Sequence, residues 1–134
     1  ALDTIEIYVP QGVNTDCVVN FTDEGKKTAS VYESAALEKK DKYEVFFGGN
    51  HTRIDISTPM EGKKNLLLFK DSYANCFIPF LVPYYRNIIV IDPRYFYDDI
   101  ESLISDNEIT DVLFLYNVNT FLGDNSLGDV LVSE

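Results

Sequence analysis

The sequence predicts a single α/β domain built around a β-α-β-α-β unit, and three observations carry that prediction. Leu66–Phe69, Ile88–Ile91 and Val112–Leu115 are uninterrupted apolar runs of four residues, whose starts lie 22 and 24 positions apart. A strand covered on both faces reads as a continuous apolar run rather than an alternating one, and parallel strands are the ones covered on both faces. Each interval has room for one helix, so the crossovers should be right-handed and the sheet mainly parallel. The 134 residues suit one domain. With 46% hydrophobic and 13% aromatic residues the chain can build a core, which argues against disorder.

The first half reads as short strands around one helix. In Thr4–Val9, Ile5, Ile7 and Val9 fall on one side, the pattern of a half-buried strand ended by Pro10-Gln11-Gly12. Cys17–Phe21 reads as a second strand. Ser30 and Glu33 have capping-box spacing, which predicts a helix through Ser34–Lys40. Glu44–Phe47 is a further short strand closed by Gly48-Gly49-Asn50, and Ile54–Ser57 another. In the second half, Tyr73–Leu81 is apolar nearly all round, as a buried helix should be, with Pro79 kinking it and Pro83 closing it. Ile100, Leu103 and Ile104 keep helical spacing behind Asp98 and Asp99, two carboxylates that suit a helix N-terminus.

Charge and composition exclude several functions. The net charge is −11, from 22 acidic and 11 basic residues. No Lys or Arg follows Arg94, whereas acidic residues continue from Asp98 to Glu134. Such a surface repels phosphate backbones, so no nucleic-acid partner is expected. It reads first as a solvated acidic face; Asp124, Asn125 and Asp129 lack the full spacing of an EF-hand calcium loop. No apolar run approaches the roughly 20 residues that span a bilayer, and no secretory signal pattern is present. A start at Ala1 suggests a processed chain or an excised segment. One His and two scattered Cys are too few for a zinc site, so neither metal nor cofactor is expected. Cys76 lies in an apolar stretch and reads as a small buried hydrophobe; whether it pairs with Cys17 is not visible in the sequence.

In open parallel sheets, ligands bind beyond the carboxyl ends of the strands. Three loops qualify: Lys70-Asp71-Ser72-Tyr73, Asp92-Pro93-Arg94-Tyr95 and Asn117-Val118-Asn119-Thr120. Ser72, at a strand-to-helix turn, can be a nucleophile whose oxyanion is met by backbone amides and by Asn117 or Asn119, or it can simply cap the helix. As a nucleophile it needs a base, and His51, in a loop before a strand, is the one imidazole in the chain.

The block Leu67-Leu68-Phe69-Lys70-Asp71-Ser72-Tyr73 resembles the nucleophile block of the SGNH/GDSL hydrolases, where a strand leads into Gly-Asp-Ser. Lys42-Tyr43 to Gly48-Gly49-Asn50-His51, Lys70-Asp71-Ser72-Tyr73, Ile91-Asp92-Pro93-Arg94-Tyr95 and Leu115-Tyr116-Asn117 resemble, in that order, the C-terminal part of bacterial DHHW-type proteins, SGNH-like relatives of the alginate O-acetylation proteins. The resemblance covers roughly residues 30–130. It implies a flavodoxin-like, three-layer SGNH sandwich, incomplete at its N-terminus. It implies a cell-envelope or extracellular setting, and ester or acetyl-transfer chemistry on a carbohydrate or similar acyl substrate. Ser72 maps to the nucleophile and Asn117, ahead of Asn119, to the oxyanion donor. Asp71, Tyr73 and Arg94 would line the substrate site. Two departures stand out: Lys70 replaces the Gly before Asp-Ser, and the Asp-His-His-Trp motif that supplies acid and base is absent. The chain is therefore expected to be a C-terminal piece of a longer protein, holding the nucleophile without its base. The alternative is a non-catalytic carbohydrate-binding module that keeps the fold and presents Tyr84, Tyr85, Tyr95 and Tyr97 to sugar.

Overall fold

The computed structural model describes residues 4–132. Six strands form one mixed sheet among these residues: β1 (Val18–Phe21), β2 (Lys26–Thr28), β3 (Arg53–Ser57), β4 (Asn65–Lys70), β5 (Asn87–Ile91) and β6 (Asp111–Leu115), in spatial order β2-β1-β3-β5-β4-β6. The three apolar runs are neighbouring parallel strands: Leu66 faces Ile88 on one side and Asp111 on the other. The expectation of a mainly parallel sheet is corrected, because β3 joins β5 antiparallel and β1 and β2 extend it as antiparallel strands. Those strands are short and connected by turns or by 3-10 segments, with no crossover helix to reverse the chain direction.

The two faces of the sheet are covered differently. One face carries Val19, Phe21, Ile54, Ile56, Leu66, Leu68, Ile88 and Val90 beneath Ala36, Val45, Ile78 and Val82. The other carries Leu67, Phe69, Ile89 and Ile91 beneath Phe96, Ile100, Leu103 and Val130. The second cover stops at β5. Beyond it Asn20, Asp55 and Val18 occupy the same face, half-buried or exposed, which is why β1 and β3 alternate while β4 and β5 do not. The apolar run of β6 misled in one respect. Its residues Val112 and Phe114 are 48% and 47% exposed, because β6 is an edge strand that the helices cover on one face only.

Several predicted elements take a different form. Thr4–Val9 pairs with no strand, although Ile5 and Ile7 still pack on the core. Ser30 accepts from the Tyr32 amide (3.0 Å), a turn that spends its hydroxyl one residue before the capping-box position, and the helix after it is a 3-10 helix, Ser34–Glu38. Glu44–Phe47 is also not a strand. Asp41 caps a 3-10 helix at Lys42–Val45, and Phe46 keeps a single bridge to Tyr32. The expected helix Tyr73–Leu81 divides into a 3-10 helix (Ser72–Cys76), α1 (Ile78–Leu81) and a second 3-10 turn (Val82–Tyr84). Pro79 has no N–H to donate to the Asn75 carbonyl, so the first helix ends and a new one starts with Pro79 in its first turn. This segment is not buried all round: Tyr73, Phe77 and Phe80 are exposed. Cys76 is exposed as well, against expectation, while Cys17 is the buried cysteine, and both are free thiols. As predicted, Asp99 caps α2 (Ile100–Asp106), accepting from the Glu101 amide and the Ser102 hydroxyl.

Candidate functional site

The connection after β4 crosses to β5 over the face that holds Ile78 and Val82, and the connection after β5 returns over the opposite face through α2 to reach β6 on the far side of β4. The chain therefore leaves β4 and β6 toward opposite faces, and a crevice opens between their carboxyl ends, the arrangement at which α/β sheets take ligands. Lys70-Asp71-Ser72-Tyr73 and Tyr116-Asn117 border it. A cavity of about 170 Å³ beside them is lined by Tyr73, Ala74, Phe77, Leu115, Tyr116 and Asn117. A larger cavity, about 580 Å³, lies at the opposite end of the strands, around Asn65, Asn87 and Asn107. It is mostly polar and lies away from the serine-bearing turn, whereas the smaller, more apolar slot adjoins that turn.

Asp71 fixes the turn. Its carboxylate is buried; Oδ1 accepts from the Tyr73 amide (3.0 Å) and Oδ2 from the Asn117 amide (2.9 Å), so one side chain ties the end of β4 to the end of β6. Asp71 is thus the helix cap, the role the sequence left open for Ser72, and its two oxygens hold the two loops together. Ser72 is half-buried at the first position of the 3-10 helix, and its hydroxyl has no hydrogen-bond partner among the described residues. Its amide, at a helix start, has no intrahelical acceptor.

Tyr43 holds the same turn from the other side. Its hydroxyl donates to the Ser72 carbonyl (2.8 Å), lies 3.1 Å from the Tyr73 carbonyl and accepts from the Cys76 amide (3.2 Å). Burial pushes this phenol well above its ordinary pKa, so it remains a donor at any physiological pH. The sequence carries no sign of this role for Tyr43, because a bond across some thirty residues leaves no local signal. Asn75 was also missed. Three residues after Ser72 in a 3-10 helix, it lies above it on the same side. It is buried, its Nδ2 reaches Asn50 Oδ1 at 3.4 Å, and its Oδ1 has no partner.

Asn117 caps α3 (Val118–Gly123), its Oδ1 accepting from the Asn119 amide at 2.9 Å, which leaves its Nδ2 as the donor available to the crevice. Asn119 is exposed. Arg94 clasps the fully buried Asp92 through Nε (2.9 Å) and Nη2 (2.6 Å), so its charge is largely answered within the protein. Lys70, 1% exposed, sets Nζ 3.9 Å from the same carboxylate with no hydrogen bond of its own. Burial lowers its pKa to about 8, with Asp92 only partly restoring it. The Tyr116 hydroxyl is likewise buried without a partner, and burial together with Asp92 raises its pKa.

His51, predicted in a surface loop, is 8% exposed and packs on Phe21. Its Nε2 lies 2.8 Å from the Phe47 carbonyl and its Nδ1 3.1 Å from Glu24, so both ring nitrogens are engaged away from Ser72. Asp124 accepts from the Ser126 amide (2.8 Å) in the turn before α4 (Ser126–Leu131), and hydrogen bonds from Ser126 hold its pKa below the ordinary carboxylate range. Among the described residues no helix is long and apolar enough to cross a membrane.

Fold and crevice together define an α/β protein whose parallel strand ends converge on a serine-bearing turn. The chain belongs to the DHHW protein family, whose sequence profile matches residues 1–91, a span that includes Ser72 and leaves Asn117 outside it. Among solved structures it is similar to a DHHW family protein from Eubacterium siraeum (30% identity, TM-score 0.71, covering 84% of this chain and 39% of that one). It is also similar to Bacillus cereus PatB1 carrying a sulfonyl adduct (25% identity, TM-score 0.71, 90% and 42%). The chain thus spans about two fifths of either protein. No curated protein matches it.

Proposed function

We propose that this chain is the nucleophile-bearing part of an SGNH-like serine esterase or O-acetyltransferase acting on acyl esters of cell-envelope carbohydrate, with the acid and base supplied by a segment beyond the 134 residues. The observation that carries the reading is the Ser72 hydroxyl: unpaired, at the switch point of the sheet, on a turn that Asp71 and Tyr43 lock from two sides. Family membership and the likeness to PatB1, a protein captured with a sulfonyl adduct, support it, since sulfonyl groups are taken up by activated hydroxyls.

In this reading the Ser72 oxygen attacks the acyl carbon as an imidazole removes its proton. The oxyanion is met by the Ser72 amide and Asn117 Nδ2. The proton passes to the departing sugar oxygen, leaving an acyl-serine that water or a second hydroxyl relieves. The slot between Tyr73, Phe77, Leu115 and Tyr116 accommodates a small acyl group, and the sheet with elements on both faces is the C-terminal share of a three-layer sandwich.

The 134-residue chain alone should hydrolyse small acetyl esters little or not at all. A longer polypeptide restoring an upstream Asp-His pair should gain turnover that Ser72→Ala abolishes, with general-base assistance contributing about 10²–10⁴-fold. Robust Ser72-dependent turnover by the short chain would overturn the division of labour and return attention to His51. An inert longer protein that binds a glycan array would favour the carbohydrate-binding module instead. Against that reading, Tyr84 and Tyr85 precede β5 whereas Tyr95 and Tyr97 follow it, so the four do not form one sugar platform.

A further inference from the structure

The tip of the β1–β2 hairpin and the residue before β3 bring together three groups that the serine chemistry does not use. His51 Nδ1 lies 3.1 Å from Glu24 Oε1 and 3.8 Å from Asp23 Oδ1. The other nitrogen of the ring faces the Phe47 carbonyl at 2.8 Å, and a carbonyl only accepts, so Nε2 carries the proton. Nδ1 of the neutral ring is then a lone pair, and the polar atoms nearest to it are carboxylate oxygens, which are also acceptors. The ring is more than nine-tenths buried and pinned against Phe21, which fixes Nδ1 toward the two carboxylates. A cation placed between them would meet three ligand atoms from three residues.

We propose that Asp23, Glu24 and His51 bind one divalent transition-metal cation through one imidazole nitrogen and two carboxylate oxygens, with the remaining coordination positions open to solvent. A cation with ligands at about 2.0–2.2 Å in tetrahedral array sets neighbouring donors about 3.4 Å apart, and the two distances to Nδ1 bracket that value. The supporting bonds are those such sites use. The ligand imidazole donates its far N–H to a backbone carbonyl, and Asp23 has Oδ2 held by the Thr52 amide (3.2 Å), which leaves Oδ1 toward the ring. Gly25, at φ +61°, makes the turn that presents both acids on one side. Counting only His and Cys in the sequence excluded a metal; the missing ligands are carboxylates that the hairpin delivers from 27 and 28 residues upstream of His51.

Bound there, the ion staples the hairpin tip to the start of β3, whose Thr52 carbonyl accepts from the amide of Asp92. The test is Mn²⁺ titration of the untagged chain by electron paramagnetic resonance, because Mn²⁺ prefers oxygen and nitrogen ligands and ignores the exposed Cys76. The wild type should take up one equivalent. The Asp23→Asn/Glu24→Gln variant, changed only at accessible side chains, should keep its circular dichroism and bind at least tenfold more weakly. Zn²⁺ at about 100 times its Kd should raise the wild-type Tm by about 8 °C and leave the variant unmoved. Equal uptake of Mn²⁺ by both proteins would overturn the proposal, as would a Zn²⁺-induced Tm rise that survives in the variant. So would no uptake at millimolar metal together with ¹⁵N ring shifts showing both His51 nitrogens protonated.

Discussion

The β2-β1-β3 half and the β5-β4-β6 half belong to one sheet and are built on different terms. In the first, short antiparallel strands are covered on one face, so apolar and polar residues alternate: Ile54 and Ile56 are buried while Arg53, Asp55 and Ser57 are not. In the second, crossovers place elements on both faces, and every residue of β4 is buried. The difference also decides where chemistry can collect. Crossovers leave three parallel strand ends side by side, and Asp71, Ser72, Asp92, Arg94 and Asn117 gather there. The antiparallel half instead brings turns together, and among the described residues the hairpin tip with His51 gathers its cluster of imidazole and carboxylates.

The comparison breaks most visibly at Leu67, on the face that only the second half covers. Leu67→Ala should destabilise by about 2–5 kcal/mol in a urea titration; a change under 1 kcal/mol would mean that α2 does not seal that face. Asp71→Ala leaves two inward amides without an acceptor and should cost about 3 kcal/mol, with the Tyr73 and Asn117 amide resonances both shifting.

Lys70 sharpens the contrast through pH. Its folded pKa of about 8 lies below the value near 10.5 of an unfolded lysine, so below pH 8 the burial of its charge opposes folding in full. Between pH 8 and about 10.5 the unfolded chain holds the extra proton, and stability rises with pH. Lys70→Met, with Arg94 still answering Asp92, should stabilise by up to about 3 kcal/mol at pH 7, and the advantage should vanish above about pH 10.5. A constant difference across that range would show that the ammonium is solvated. Tyr43→Phe should cost about 1 kcal/mol and, under the proposed serine chemistry, a longer polypeptide that supplies the acid and base should lose more in kcat than it changes in KM. The smallest effect belongs to Val18→Ala, on the uncovered part of the same sheet face as Leu67, and should stay within about 0.5 kcal/mol.

These contrasts also explain what the sequence reveals. β4 and β5 are legible because burial on both faces writes itself as composition. The run Val112–Leu115 carries the same composition but lies at an edge, since composition does not record what lies beside a strand. Ile54–Ser57 is legible as a strand, but its antiparallel docking on β5 is not, because pairing direction depends on residues thirty or more positions away. Pro79 announces a break in the helix after Ser72, whereas the exposure of Tyr73, Phe77 and Cys76 depends on which side of the segment meets the sheet. In the crevice the strand-end rule locates Ser72 and Asn117. The capping role of Asp71 is not legible, because a capping aspartate and a substrate-binding aspartate look alike until their donors are traced. Tyr43, Asn75 and the burial of His51 are tertiary facts with no periodicity to betray them.

The bridge made by Asp71 has a consequence for motion. The amides of Tyr73 and Asn117 lie in separate loops, outside any ladder, yet they share one buried carboxylate. Neither can exchange its hydrogen with solvent from a fully closed state, and release of Asp71 exposes both. The two loops therefore form one opening unit, and their exchange rates should rise and fall together across temperature and denaturant, as though they were adjacent in sequence.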